Sequence, residues 1–177
     1  MHEGHLRTGR VQCYTGDGKG KTTAALGLAL RAAGHGMRTY IGQFMKGQPS
    51  GEHAALRGDP HIVIEQFGDV RCIRREEVTP AHRAAARQGL ARARRAMLSG
   101  EYDIIVLDEV NVAVWFGVLA EQDVLAFLDE RPPAVEVVLT GRRAPQAILA
   151  RADLVTEMVE VKHYYAQGLA ARAGIEQ

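Results

Sequence analysis

The chain alternates between short apolar runs and longer amphipathic stretches, with glycine, proline or small polar residues at most of the joints. Val11 to Tyr14 is the first apolar run and predicts a strand, and Ala24 to Ala33 is a strong helix former. That helix should begin at Thr22 or Thr23 and end at Gly34, a suitable residue to follow Arg31 in the last turn. Thr39 to Phe44 predicts a second strand, Met45 to Gly51 a glycine- and proline-bearing loop that carries Lys46, Glu52 to Arg57 a short helix, and His61 to Phe67 a third strand. Gly68 to Val78 has no period and reads as a long loop. Thr79-Pro80 supplies an N-cap and a first-turn proline for a helix running to Ser99, with Gly100 beyond it.

Asp103 to Leu107 is continuously apolar after its first residue, as expected of a strand buried on both faces of a parallel sheet. A comparable run at Val135 to Leu139 and a sixth at Leu154 to Val161 follow, with helices at Glu121 to Glu130 and Pro145 to Arg151 between them. Strand and helix alternate without repeats, which predicts one α/β domain with a mostly parallel sheet of about six strands flanked by helices. Ligands of such sheets bind beyond the carboxyl ends of the strands. The residues that follow the first, fourth and fifth strands, Thr15 to Thr23, Asp108-Glu109 and Thr140-Gly141-Arg142, should therefore converge on one edge.

Composition adds boundaries. At 177 residues the chain suits one domain that buries about 70% of its unfolded surface. The polar stretch Met1 to Gly9 reads as a flexible tail ahead of a domain spanning 10–177, and His2 and His5 read as solvated rather than as a metal clip. A net charge of +1 gives no bulk drive toward nucleic acid or an anionic membrane. Arg83, Arg87 and Arg94 share one side of the long helix and read as a solvated face. Cys13 and Cys72 make no disulfide framework, and Cys13 reads as a small buried apolar residue. With no secretory h-region and no apolar run long enough to span a bilayer, the expectation is a cytoplasmic, soluble protein.

The chemistry is concentrated at Thr15-Gly16-Asp17-Gly18-Lys19-Gly20-Lys21-Thr22-Thr23. Strand, glycine-rich loop and helix form the context of a phosphate-binding loop, so a P-loop NTPase-like domain is expected. The glycines turn successive N–H groups inward, and the helix offers its first-turn N–H groups and positive dipole end to the same anion. Lys21 can reach outer phosphates and the Thr22 hydroxyl can ligate Mg²⁺. The pattern G-x-x-x-x-G-K-[ST] is met with Thr15 in place of its first glycine. Asp108 and Glu109, ending a buried strand, are the expected acidic partners of Thr22 on the metal. Arg142 can touch a phosphate oxygen or form a surface ion pair. An ATPase, a kinase, another nucleotide user and a nucleotide-gated carrier all remain open on these residues alone.

The sequence resembles the P-loop type of ATP:corrinoid adenosyltransferases. The resemblance is carried by TGDGKGKTTAALGLALRAAGHG at 15–36, IGQFMKG at 41–47, LDEVNVAVWFGVL at 107–119, VVLTGRRAP at 137–145, ADLVTEM at 152–158 and VKHYYAQGLAARAGIE at 161–176. It implies transfer of the 5′-deoxyadenosyl group of ATP to Co(I) of a corrinoid, with release of triphosphate, in adenosylcobalamin biosynthesis or salvage. Lys21, Glu109 and Arg142 would be the catalytic group, and Thr15 to Thr23 the nucleotide-binding one. Thr22, Asp108 and Glu109 would hold Mg²⁺, with Lys19 adding charge toward the leaving triphosphate. The resemblance also implies a homodimer and a reductase, such as a flavoprotein, as electron donor. In that family the triphosphate lies in the loop in the reverse sense, which would make the first glycine dispensable.

Two departures stand out. The loop Asp69 to Arg75 lacks the aromatic pair that packs near the corrin in relatives, and the segment ahead of the phosphate loop is short. Arg71, Arg74 and Arg75 could meet the corrin's polar arms or be solvated, and Trp115 and Phe116 could form an apolar wall or belong to the core. Asp17 is unfavourable beside phosphate unless it points away or contacts metal.

Overall fold

The computed structural model describes residues 6–69, 71 and 73–176. His2, His5, Val70 and Cys72 lie outside the described residues. Six strands form one all-parallel sheet: β1 (Val11–Thr15), β2 (Thr39–Gln43), β3 (Ile62–Gln66), β4 (Ile104–Asp108), β5 (Glu136–Thr140) and β6 (Leu154–Glu157), in the order β3-β2-β4-β5-β1-β6. The helices are α1 (Lys21–Ala33), α2 (Gly51–Leu56), α3 (Pro80–Leu98), α4 (Val110–Trp115), α5 (Glu121–Asp129) and α6 (Gln146–Arg151). The α/β P-loop architecture expected from the sequence is thus present.

Successive residues of the central strands point into two separate cores, which is why their sequences are apolar throughout. Ile104, Val106 and Val138 pack with Ala25, Ala29 and Ala32 of α1. Their neighbours Ile105, Leu107, Val137 and Leu139 join Leu90 and Met97 of α3 and Val124 and Phe127 of α5 on the opposite face. The alanines of α1 and the small residues of α3 let both helices approach the sheet closely. At Gly89 of α3 an added Cβ would lie 2.5 Å from the Phe67 ring, so any other residue there must displace Phe67.

Several boundaries differ from expectation. Helix α1 begins at Lys21, and Gly34 is right-handed (φ −62°); the left-handed glycine lies two residues on, at Gly36 (φ 77°). The sixth strand ends at Glu157, and residues 158–163 are irregular, with a tight bend where the Val161 N–H donates to the Val159 carbonyl at 3.1 Å, ahead of a 3-10 turn at Tyr164–Gln167. Arg75–Glu77 forms a 3-10 turn inside the expected loop, and α4 interrupts the apolar run after β4. Apolar runs mark burial and do not distinguish a strand from a short buried helix, which is why α4 is not separable by pattern. The side chain of Thr79 caps α3 by accepting from the His82 N–H at 3.3 Å. Among the described residues no helix is long and apolar enough to cross a membrane.

Candidate functional site

The strand order decides what meets at the carboxyl edge. β5 lies between β1 and β4, and β2 lies on the other side of β4. Asp108, the last residue of β4, is therefore flanked by Thr140 at the end of β5 and by Gln43, its register partner at the end of β2. Its carboxylate is buried and accepts from four side chains. Oδ1 accepts from Thr140 Oγ1 at 2.7 Å and Thr22 Oγ1 at 2.8 Å, and Oδ2 from Gln43 Nε2 at 3.0 Å and Lys46 Nζ at 3.1 Å. Lys46 also donates to Thr22 Oγ1 at 3.3 Å, so one ammonium touches the loop and the acid together. Burial lowers the Lys46 pKa, but the Asp108 charge and hydrogen bond, with Glu109 and Glu52, outweigh it and leave the ammonium more firmly protonated than usual.

Glu109 follows in a left-handed conformation (φ 60°), fixed by its N–H donating to Thr140 Oγ1 at 2.9 Å. Burial and the adjacent Asp108 push its carboxyl upward, against the pull of Lys46, Lys21 and Arg142. Met45 (φ 59°) and Arg143 (φ 57°) are the other left-handed non-glycine residues among those described. All three stand within three residues of a strand's carboxyl end, β2, β4 and β5 in turn. Strain of this kind costs about 1–3 kcal/mol per residue and collects where side chains must be aimed at a ligand.

The glycine-rich loop is held from two sides. Gly18 N–H donates to the Met158 carbonyl at 2.6 Å and Met158 N–H to the Thr15 carbonyl at 2.8 Å, so the chain leaving β6 is stitched to the loop. A Cβ on Gly16 or Gly18 would stand 2.4 or 2.7 Å from the Met158 carbonyl oxygen, which explains both glycines sterically. Lys21, nearly buried, donates to the carbonyls of Gly16 (2.7 Å) and Gly18 (2.5 Å) and braces the loop from within. Burial lowers its pKa, and Arg142 lowers it further while Glu109 and Asp17 act in the opposite sense.

A cleft of about 550 Å³ opens above these groups. Gly18, Lys19, Gly20, Lys21, Thr22 and Thr23 line it, together with Lys46, Glu109 and Arg142. Thr15, Gly16 and Asp17 are not among its walls. The Thr15 hydroxyl accepts from the Ala144 N–H at 3.3 Å, which ties the loop to the segment after β5. Asp17 faces Arg143 (3.6 Å), whose guanidinium lies 5.8 Å from the Trp115 ring centroid. The acid thus points to a surface arginine, and its presence beside a phosphate loop is explained. Trp115 is 41% exposed and packs edge-on against Phe116, so it belongs to the surface. A second cavity of about 380 Å³ adjoins the first through Lys46, Glu52 and Glu176, and Met45, Asp69 and Arg71 also line it.

Pattern puts Thr140 at the carboxyl edge and Lys46 in the loop after the second strand without giving either a role, and does not single out Gln43. The signal that could have found Lys46 is its place just beyond the second strand, the rule that located Asp108 and Arg142. Among the described residues no cluster of three or more His, Cys, Asp or Glu could hold a metal ion.

The model of the family "ATP:corrinoid adenosyltransferase BtuR/CobO/CobP" matches residues 7–177. The chain belongs to this family. The corrinoid adenosyltransferase of Escherichia coli strain K12 is 37% identical over 169 residues, covering 95% of this chain and 85% of the relative. That of Pseudomonas aeruginosa is 38% identical over 176 residues, covering 95% and 83%. Corrinoid adenosyltransferase CobA of Salmonella typhimurium is 37% identical over 169 residues, covering 95% and 85%. ATP and a corrinoid are the substrates that membership implies, and the chemistry is that of an adenosyl transfer rather than of phosphoryl transfer by an ATPase or a kinase, or of a carrier.

Proposed function

We propose that the cleft above residues 18–23 holds the triphosphate of ATP and leaves C5′ open to a corrinoid approaching from the side of Lys46. The observation that carries this reading is the Thr22–Asp108–Lys46 cluster, which puts a hydroxyl, a carboxylate and an ammonium at the mouth of a glycine-rich loop. Loop amides and the Lys21 ammonium would meet the phosphate oxygens, with Arg142 and Lys19 adding charge from the rim. Thr22, Asp108 and Glu109 would hold Mg²⁺, which when bound neutralises charge on the triphosphate.

In the reaction the electron pair of Co(I) forms the Co–C5′ bond, the C5′–O bond breaks, and that oxygen leaves with its electrons on the intact triphosphate. Co(I) is the nucleophile, so the protein supplies no base and no covalent intermediate. Its contributions are alignment and stabilisation of the charge that grows on the leaving group. Lys21, which now donates to two loop carbonyls, and Lys46, which is held by Asp108, would supply cations for that charge. The second cavity, with Arg71 at its rim, is the proposed approach for one edge of the corrin. The proposal extends, as the sequence resemblance implies, to a cytoplasmic homodimer that receives electrons from a reductase such as a flavoprotein.

The test is calorimetric titration with ATP and Mg²⁺. Lys21→Ala should weaken binding at least about ten-fold, as expected for loss of a charge-assisted contact. Unchanged affinity in that variant would remove the loop from the site.

A further inference from the structure

Lys19 projects from the phosphate loop, yet its hydrogen-bonding partners come from the end of the chain. Its ammonium donates to Glu176 Oε1 at 2.9 Å, to the Ile175 carbonyl at 3.1 Å and to the Tyr164 hydroxyl at 3.2 Å. Glu176 also accepts from the Tyr164 hydroxyl, from the Arg172 guanidinium at 3.1 and 3.2 Å, and from the Arg172 N–H at 2.8 Å. Arg172 lies 4.9 Å from the Tyr164 ring centroid. One carboxylate is thus gripped by an ammonium, a guanidinium, a phenol and a backbone amide, the set of donors that binds a phosphate group. It lines the same cleft as Gly18 to Thr23, together with Gly174, Ile175 and His163.

The segment carrying this carboxylate has little else to hold it. Val161, Tyr165 and Ile175 are 91%, 74% and 58% exposed, and none of residues 159–176 belongs to either core. Apart from the backbone stitch at Met158, it is retained largely by polar contacts that converge on Glu176. The Lys19 and Arg172 ends of these ion pairs are 43% and 45% exposed and the Glu176 end 15%, and pairs open to solvent at one end are individually modest. Segments with few buried apolar contacts are also the first to detach from a fold. A polyanion entering the cleft would meet the Glu176 charge and compete for Lys19.

We propose that Glu176 is an internal competitor of the triphosphate: its carboxylate occupies Lys19, and nucleotide binding transfers Lys19 to a phosphate oxygen and releases the segment 164–176. The ligand class is a nucleoside triphosphate or free inorganic triphosphate, bound through the phosphate chain common to both. The inference rests on the assignment of the loop to the triphosphate.

Calorimetry on the full chain tests it, with ATP, inorganic triphosphate and adenosine as separate probes. Glu176→Gln should tighten ATP and inorganic triphosphate by about three- to ten-fold, the worth of one or two exposed ion pairs, and leave adenosine unchanged. The gain should vanish when Lys19→Ala is combined with it. An unchanged or weakened ATP affinity in Glu176→Gln, or a full gain in the absence of Lys19, would overturn the proposal. Trypsin provides a second readout. Cleavage at Lys162 and Arg172 should accelerate when inorganic triphosphate is added, whereas unchanged or slower cleavage contradicts release of the segment. If wild type and Lys21→Ala bind ATP equally, the loop assignment fails. If Lys21→Ala weakens ATP and Glu176→Gln brings no gain, only the competitor role fails.

Discussion

The Thr22 hydroxyl donates to Asp108 Oδ1 over 2.8 Å, joining the phosphate loop to the end of β4 across 86 residues of sequence. Asp108 is 1% exposed and accepts four side-chain hydrogen bonds, so its removal leaves several buried donors unpaired. Asp108→Ala should cost about 3–5 kcal/mol of stability, as for a broken buried charge cluster. In a chain of 177 residues that lowers Tm by roughly 6–20 °C, measurable by scanning calorimetry. Thr22→Val keeps the shape and removes one hydroxyl. It should cost only about 1 kcal/mol while reducing Mg²⁺-dependent ATP affinity about 10–100-fold.

Glu109 makes stability depend on pH in a predictable direction. Its carboxyl titrates above the usual range because it is buried next to Asp108. The folded state therefore keeps its proton to higher pH than the unfolded chain, and this group's contribution to stability falls as pH rises from the ordinary carboxylate value to the raised one. Glu109→Gln abolishes the fall. Urea denaturation between about pH 4 and pH 8 should show the variant gaining on wild type as pH rises, then a plateau. A constant difference across that range would contradict the assignment.

Two glycines give opposite outcomes for the same substitution. Gly18→Ala places a Cβ 2.7 Å from the Met158 carbonyl and should displace the loop, with loss of most ATP binding. Gly27, exposed within α1, has nothing within 4 Å of an added Cβ. Gly27→Ala should raise stability by about 0.5–1 kcal/mol and leave ATP affinity unchanged, both measurable on purified protein.

How much of this was readable beforehand follows from how local each cause is. The loop, α1 and the acids at 108–109 are specified by neighbours in sequence: a glycine pattern, a helix former and an apolar run that ends in charge. The long helix was legible from Thr79-Pro80 for the same reason. The contacts of Gln43 and Thr140 with Asp108 depend instead on strand order and register, which the pattern of one strand does not carry. Trp115 was unreadable in a different way, since its exposure depends on where α4 ends and on Arg143 arriving from another loop. The lock on Lys19 depends on residues more than 140 positions away.

The proposed charged clamp of Thr15 to Thr23 with Asp108-Glu109 at the carboxyl edge would grip a leaving group rather than a reacting phosphorus. Product analysis after mixing the protein with chemically reduced cobalamin, ATP and Mg²⁺ tests that most directly. The account predicts loss of the Co(I) spectrum in step with the appearance of intact triphosphate and a cobalt–carbon bond. Formation of ADP and orthophosphate with the Co(I) spectrum unchanged would contradict it.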